Sequence, residues 1–111
     1  MNVIHVSDLP VVSTPKGLKF QTVVNIPEIS ILHLILQPGE TVPAHTTPVN
    51  VVFQVWEGMG TISIGEEKRE ASRGDFVLSP REIPHALEAD RGTVFSVLVM
   101  KVPNPQKPQG R

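Results

Sequence analysis

Cysteine is absent from this chain, which removes disulfides, thiolate metal sites and a thiol nucleophile together. Any chemistry must come from histidine, carboxylates, hydroxyls or lysine. An excess of one charge is missing too: ten Lys and Arg against eleven Asp and Glu leave a net charge of -1, and the densest run, Glu66-Glu67-Lys68-Arg69-Glu70, mixes both signs. A nucleic-acid partner or a polybasic membrane patch is therefore not expected. Long apolar runs are lacking. The longest, Ile29 to Leu36, is broken by Ser30 and His33 and falls well short of the ~20 residues a bilayer span needs. The amino terminus, Met1-Asn2-Val3-Ile4-His5-Val6-Ser7-Asp8, has neither the basic flank nor the apolar core of a signal peptide. A soluble, cytoplasmic protein is the expectation.

What is present is a β-forming pattern. With 111 residues the chain is sized for a single core. Apolar residues recur with period two rather than 3.6, and β-branched residues dominate, so nearly all of it reads as strand and none as helix. The expected strands are Val3 to Val6, Lys19 to Val24, Ser30 to Gln37, Val49 to Glu57, Gly60 to Ile64, Lys68 to Ala71, Asp75 to Leu78, His85 to Glu88 and Thr93 to Val102. Turn signals such as Pro38-Gly39, Gly58-Met59-Gly60 and Arg73-Gly74-Asp75 separate them. Many short strands with Gly and Pro punctuation indicate an all-β sandwich or barrel over residues 1–102. From residue 103 to 111 the chain is Pro-rich, has no apolar periodicity and reads as an extended, mobile tail.

Two stretches stand out. Gly39-Glu40-Thr41-Val42-Pro43-Ala44-His45 and Gly74-Asp75-Phe76-Val77-Leu78-Ser79-Pro80-Arg81-Glu82-Ile83-Pro84-His85 each open on a Gly-centred turn and end in histidine. A jelly roll is one long antiparallel hairpin rolled up, so residues equidistant from its tip become neighbours. His45 and His85 lie symmetrically about Gly65.

These stretches resemble the two motifs of the cupin superfamily, small barrel proteins with a jelly-roll fold, also described as a double-stranded β-helix. The family's first motif is Gly, five residues, His-x-His, three or four residues, Glu, six residues, Gly. Gly39, His45 and Gly58 match, with Thr47 at the second His and Val51 at the Glu. The second motif is Gly, five residues, Pro-x-Gly, two residues, His, three residues, Asn. Gly74, Pro80 and His85 match, with Glu82 for Gly and Ala89 for Asn. The resemblance covers roughly residues 30 to 100. It implies a cupin-like barrel, commonly a homodimer, and in metal-bearing members a divalent ion such as Zn, Fe, Ni or Mn on the motif histidines and glutamate. Here only His45 and His85 of that set remain.

Two imidazoles are one ligand short of a catalytic zinc site or a two-His, one-carboxylate iron site. Of Asn50, Gln54, Glu82 and Glu88 as a further donor, strand alternation opposes all but Glu82, which sits in the loop before His85. Val51, Phe53, Val55, Phe76, Leu87, Leu34 and Leu36 are expected to face inward. They would enclose an apolar pocket, with His45, Thr47 and His85 as its polar groups and Val51, Phe53 and Leu87 in its wall. His33 falls on the opposite face and reads as a surface or interface histidine, and His5 as exposed. Trp56 and Val52 share the outward face of their strand. They mark either a subunit contact or a patch covered by the chain's own amino-terminal segment. Three functions remain open: a metal-dependent small-molecule enzyme using His45 and His85, a metal-free module binding a small organic molecule, and a metal-free isomerase or cyclase with histidine as proton carrier.

Overall fold

The computed structural model describes residues 1–106; Lys107 to Arg111, the end of the expected tail, lie outside the described residues. The strands in chain order are β1 (Val12–Ser13), β2 (Lys19–Ile26), β3 (Ile29–Leu36), β4 (Thr41–His45), β5 (Asn50–Glu57), β6 (Met59–Ile64), β7 (Glu67–Ser72), β8 (Phe76–Ser79), β9 (His85–Ala89) and β10 (Phe95–Val102). They form two antiparallel sheets, β1-β2-β3-β10-β5-β8 and β4-β9-β6-β7. No helix among the described residues is long and apolar enough to cross a membrane.

The pairing is that of one long hairpin rolled up. Leu36 lies opposite Phe95, His45 opposite His85, Val51 opposite Ser79 and Ile64 opposite Glu67. Each pair straddles the same point, the Gly65-Glu66 turn. The fold is therefore an all-β jelly roll, and its strands obey the alternation read from sequence. Val51, Phe53 and Val55 of β5 are each 1 % exposed, and they meet Leu36, Leu87, Phe95 and Val97 in a core between the sheets. Burying such side chains is the dominant favourable contribution to folding.

Two glycines show how tightly the turns close. Gly58 has φ +78, and a Cβ there would run into the Val94 carbonyl. At Gly60 a Cβ would meet Glu88 O and the Phe95 ring at 2.5 Å. The Gly58 of the first motif is thus required by backbone conformation and by space.

Several expectations are corrected. Residues 3–5 form no strand; Val6–Asp8 is a 3-10 turn, and the Val6 and Leu9 carbonyls accept from Gln21 Nε2 (2.8 and 3.0 Å) instead of from a ladder. The short β1, flanked by prolines, pairs with β2 and was not expected. Phe76 does not face inward. It pairs with Gln54 and is 65 % exposed, while Val77, opposite Phe53, takes the inner position. On a period-two element a displacement of one residue exchanges the faces.

His33 does lie on the outer face, yet it is buried rather than exposed. Its Nδ1 donates to Gln21 Oε1 at 2.7 Å, and its ring packs 5.3 Å from Trp56. Burial lowers its pKa, opposed in part by Glu57. The Gln21 amide thus ties His33 to the amino-terminal segment, making this histidine part of the scaffold.

The start of the tail is anchored too. Asn104 is buried; its Nδ2 donates to Asn25 Oδ1 and Ile26 O, and its backbone N–H to Pro27 O. This side-chain amide supplies the anchoring that apolar periodicity does not.

Candidate functional site

Strand β4 delivers His45 and β9 delivers His85 as direct cross-strand partners. Their rings meet edge to face, with centroids 4.5 Å apart and Nε2 atoms 3.2 Å apart. His45 is exposed at the rim, whereas His85 is only 3 % exposed. The Phe53 ring lies edge-on to His85 at 5.2 Å. Thr47, in the loop after β4, brings Oγ1 to 3.3 Å from His85 Nε2, and Ser79, at the end of β8, brings Oγ to 2.9 Å from His85 Nδ1.

If the two imidazoles hydrogen-bond to each other, these contacts select one tautomer for each neutral ring. His45 Nδ1 lies 2.9 Å from the Pro43 carbonyl, which can only accept, so this nitrogen carries the hydrogen and Nε2 is bare. His85 Nε2 must then donate to His45 Nε2 for the 3.2 Å contact to be a hydrogen bond. His85 Nδ1 is left to accept from the Ser79 hydroxyl. With these tautomers a single directed chain runs from buried Ser79 through His85 and His45 to Pro43. Protonating His45 reverses its middle: His45 Nε2 donates, and His85 shifts its hydrogen to Nδ1 and donates to Ser79. The pair can thus accept one proton from solvent without leaving a nitrogen unpaired, which is the capacity a proton carrier needs.

His85 itself resists charging. Burial lowers its pKa to about 4, with the charges of His45 and Lys101 acting in the same direction. It is a neutral imidazole at physiological pH.

A cavity of about 430 Å³ opens between the sheets beside this pair. Leu32, Leu34, Val42, Phe53, Leu87 and Val99 form its apolar wall, and His45, His85 and Lys101 are the ionisable side chains lining it. Phe53 and Leu87 line this cavity. Thr47 touches the site through His85 and is not itself in the wall. Val51 is packed in the core and is not in the wall either.

Glu82 is not brought to the histidines as a ligand. It is exposed, with φ +65, and its N–H donates to Thr47 O at 2.8 Å. It retains the left-handed conformation that explains glycine at this motif position. Asn50 is engaged elsewhere, its Oδ1 accepting from the Arg81 N–H, and Glu88 is exposed opposite Thr41 and Thr61.

Sequence reasoning missed Ser79 and Lys101. Ser79 lies six residues before His85 within the second motif. Lys101 continues the inward row of Phe95, Val97 and Val99 on β10, so alternation alone could have placed it inside.

The donor set does not fit a resident catalytic ion. Two nitrogens 3.2 Å apart could share one, but Thr47 adds only a neutral hydroxyl and Val51 no donor at all. No group of three His, Cys, Asp or Glu able to hold a metal occurs among the described residues. The positive charge of Lys101 is felt at His85 and would oppose a dication there.

The lowered pKa of His85 makes stability depend on pH. Above the ordinary value of 6.5 both folded and unfolded forms are neutral here. As pH falls from 6.5 towards 4, the unfolded chain takes up a proton that native His85 refuses, so stability falls across that window and levels below it. Up to about 3 kcal/mol is at stake. Urea unfolding of the wild type should show a larger loss between pH 7.5 and 4.5 than His85→Gln. Parallel pH dependences would contradict the assignment.

This architecture has many relatives of low sequence identity. An RmlC-like cupin from Shewanella frigidimarina superposes with a TM-score of 0.85 at 16 % identity, covering 96 % of this chain and 94 % of the other. TT1209 from Thermus thermophilus gives 0.83 at 21 % identity, covering 95 % and 100 %. The polyketide cyclase RemF from Streptomyces resistomycificus gives 0.83 at 17 % identity, covering 94 % and 80 %. No curated protein sequence matches this chain. The sequence profile of the cupin domain family, Cupin_2, matches residues 32–101, a span running from β3 through β10 and including both histidine stretches. The chain belongs to the cupin family.

Proposed function

We propose that this cupin binds a small, largely apolar organic molecule between its sheets, without a resident metal ion, and that His45 and His85 give the ligand a polar, proton-exchanging contact. The observation that carries this reading is the cavity of about 430 Å³, apolar over most of its named wall, with two contacting imidazoles at one side. Its volume lies within the range of small-molecule sites. Phe53, Leu87 and Leu34 would take the ligand's apolar body, while neutral His85, oriented by Ser79, would share the hydrogen on its Nε2 between His45 and a ligand oxygen. Exposed His45 would relay a proton between solvent and His85.

Metal chemistry would require His85 to give up the hydrogen its Nε2 carries in the chain. The solved polyketide cyclase shows that the fold can house a cyclase; in this chain the Ser79-His85-His45 chain is what favours proton transfer as an accompanying chemistry.

The cupin also presents an apolar outer face. Trp56 is 45 % exposed, Phe76 65 % and Leu78 61 %, and the pairing of Val52 with Leu78 and Gln54 with Phe76 sets them on one side of the sheet. Gln21 and Trp56 contact His33 on this side, and Trp56 remains partly open. We read this face as the contact of a homodimer.

A neutral bicyclic probe, 2-naphthamide, should bind with one-to-one stoichiometry in titration calorimetry, with the same Kd in the presence of EDTA, and Leu34→Trp should weaken binding by intruding on the cavity. Binding that requires added zinc, or that survives Leu34→Trp unchanged, would defeat the reading. For the outer face, light scattering should give a dimer mass for the wild type and a monomer mass for Phe76→Lys/Leu78→Lys. A wild-type monomer would exclude the dimer.

A further inference from the structure

Lys101 is an unusual residue for the place it occupies. Along β10 the inner row reads Phe95, Val97, Val99, Lys101; the first three are buried in the core, and the lysine comes where the row reaches the cavity. Lys101 pairs with Ser30 on β3 and Val51 on β5. Val51 in turn pairs with Ser79, whose hydroxyl holds His85. Lys101 and His85 therefore converge on one end of the sandwich from opposite sheets.

Among the described residues no Asp or Glu lines the cavity beside this cation, and the one ion pair, Arg69 with Glu67, is an exposed pair elsewhere. The neighbours at this end are neutral hydrogen-bonding groups, including Ser30, Asn25 and Asn104. Across the cavity stand two imidazoles, one of them kept neutral. Among its wall residues the cavity thus holds positive charge and no negative charge. An ammonium partly withdrawn from water gains most from an anion that enters with an apolar body, since the same desolvation strengthens their attraction.

We infer that Lys101 makes one end of the barrel an anion subsite, so that the ligand class of this cupin is a small organic monoanion, a carboxylate or an enolate on an apolar skeleton. This rests on the cavity being a ligand site and adds the charge of what fills it. The carboxylate would pair with the Lys101 ammonium, its second oxygen or an adjacent carbonyl would share the hydrogen on His85 Nε2 with His45, and the skeleton would lie along Leu32, Leu34 and Leu87. Burial already holds the Lys101 pKa below the ordinary lysine value, and an anionic ligand would raise it again.

The pair 2-naphthoate and 2-naphthamide has one skeleton and differs in charge. In titration calorimetry at neutral pH the wild type should bind the naphthoate about tenfold more tightly. Lys101→Met should remove that preference, leaving naphthoate no tighter than naphthamide, and Lys101→Arg should keep it. Retained naphthamide binding shows that the variant is folded. Equal wild-type affinities, or a naphthoate preference that survives Lys101→Met, would overturn the anion subsite and leave the cavity reading intact. Failure of both probes to bind the wild type would overturn the cavity reading, and the anion subsite with it.

Discussion

The register of the rolled hairpin is the constraint on which the rest of this protein depends. Because the strand pairs close about the Gly65-Glu66 turn, His45 of β4 falls opposite His85 of β9, and Val51 of β5 opposite Ser79 of β8. A slip of one residue in either ladder would turn a histidine to the other face and empty the site of chemistry. The apolar alternation of β5 and β10 opposes such a slip, since it would bring Trp56 and Gln54 into the core and expel Phe53 and Val55. Packing in the sandwich therefore sets the register that brings the two imidazoles 3.2 Å apart, and the Ser79 hydroxyl and the Pro43 carbonyl orient their rings.

Much of this was legible before any coordinates. The Gly-to-His stretches gave the family, the symmetry about Gly65 gave the meeting of the histidines, and alternation gave the inner row of β5. What was not legible had local causes. Phe76 went to the wrong face because a short edge strand offers little pattern to fix its phase. The face of His33 follows from alternation, whereas its contacts with Gln21 and Trp56 join residues distant in sequence. Asn104 is held by a side-chain amide, which periodicity does not register. Lys101 was legible in principle, since it continues an inward row, but a charged residue at a strand end is ordinarily read as solvent-facing.

The site illustrates how a family backbone can be kept while its chemistry changes. Gly39, Gly58 and Gly74 adopt positive φ at the family's positions, and even Glu82 keeps the left-handed conformation of the glycine it replaces. The replacements at Thr47 and Val51 remove an imidazole and a carboxylate. What they leave is a hydrogen-bonded chain from Ser79 to Pro43 whose members satisfy one another. Lys101, which acts on His85 and lines the cavity with no acid beside it among the described residues, is what the proposed anion would complement.

The claim that joins these observations is that the two imidazoles hydrogen-bond to each other through a hydrogen on His85 Nε2. Long-range 1H–15N NMR of the histidine rings at neutral pH tests it directly, because the ring nitrogen shifts distinguish the tautomers. The account predicts the Nδ1–H form for His45 and the Nε2–H form for His85, both unchanged by one equivalent of zinc. Both rings in the Nδ1–H form, with their Nε2 atoms bare and shifting on addition of zinc, would contradict it and restore the pair as a metal site.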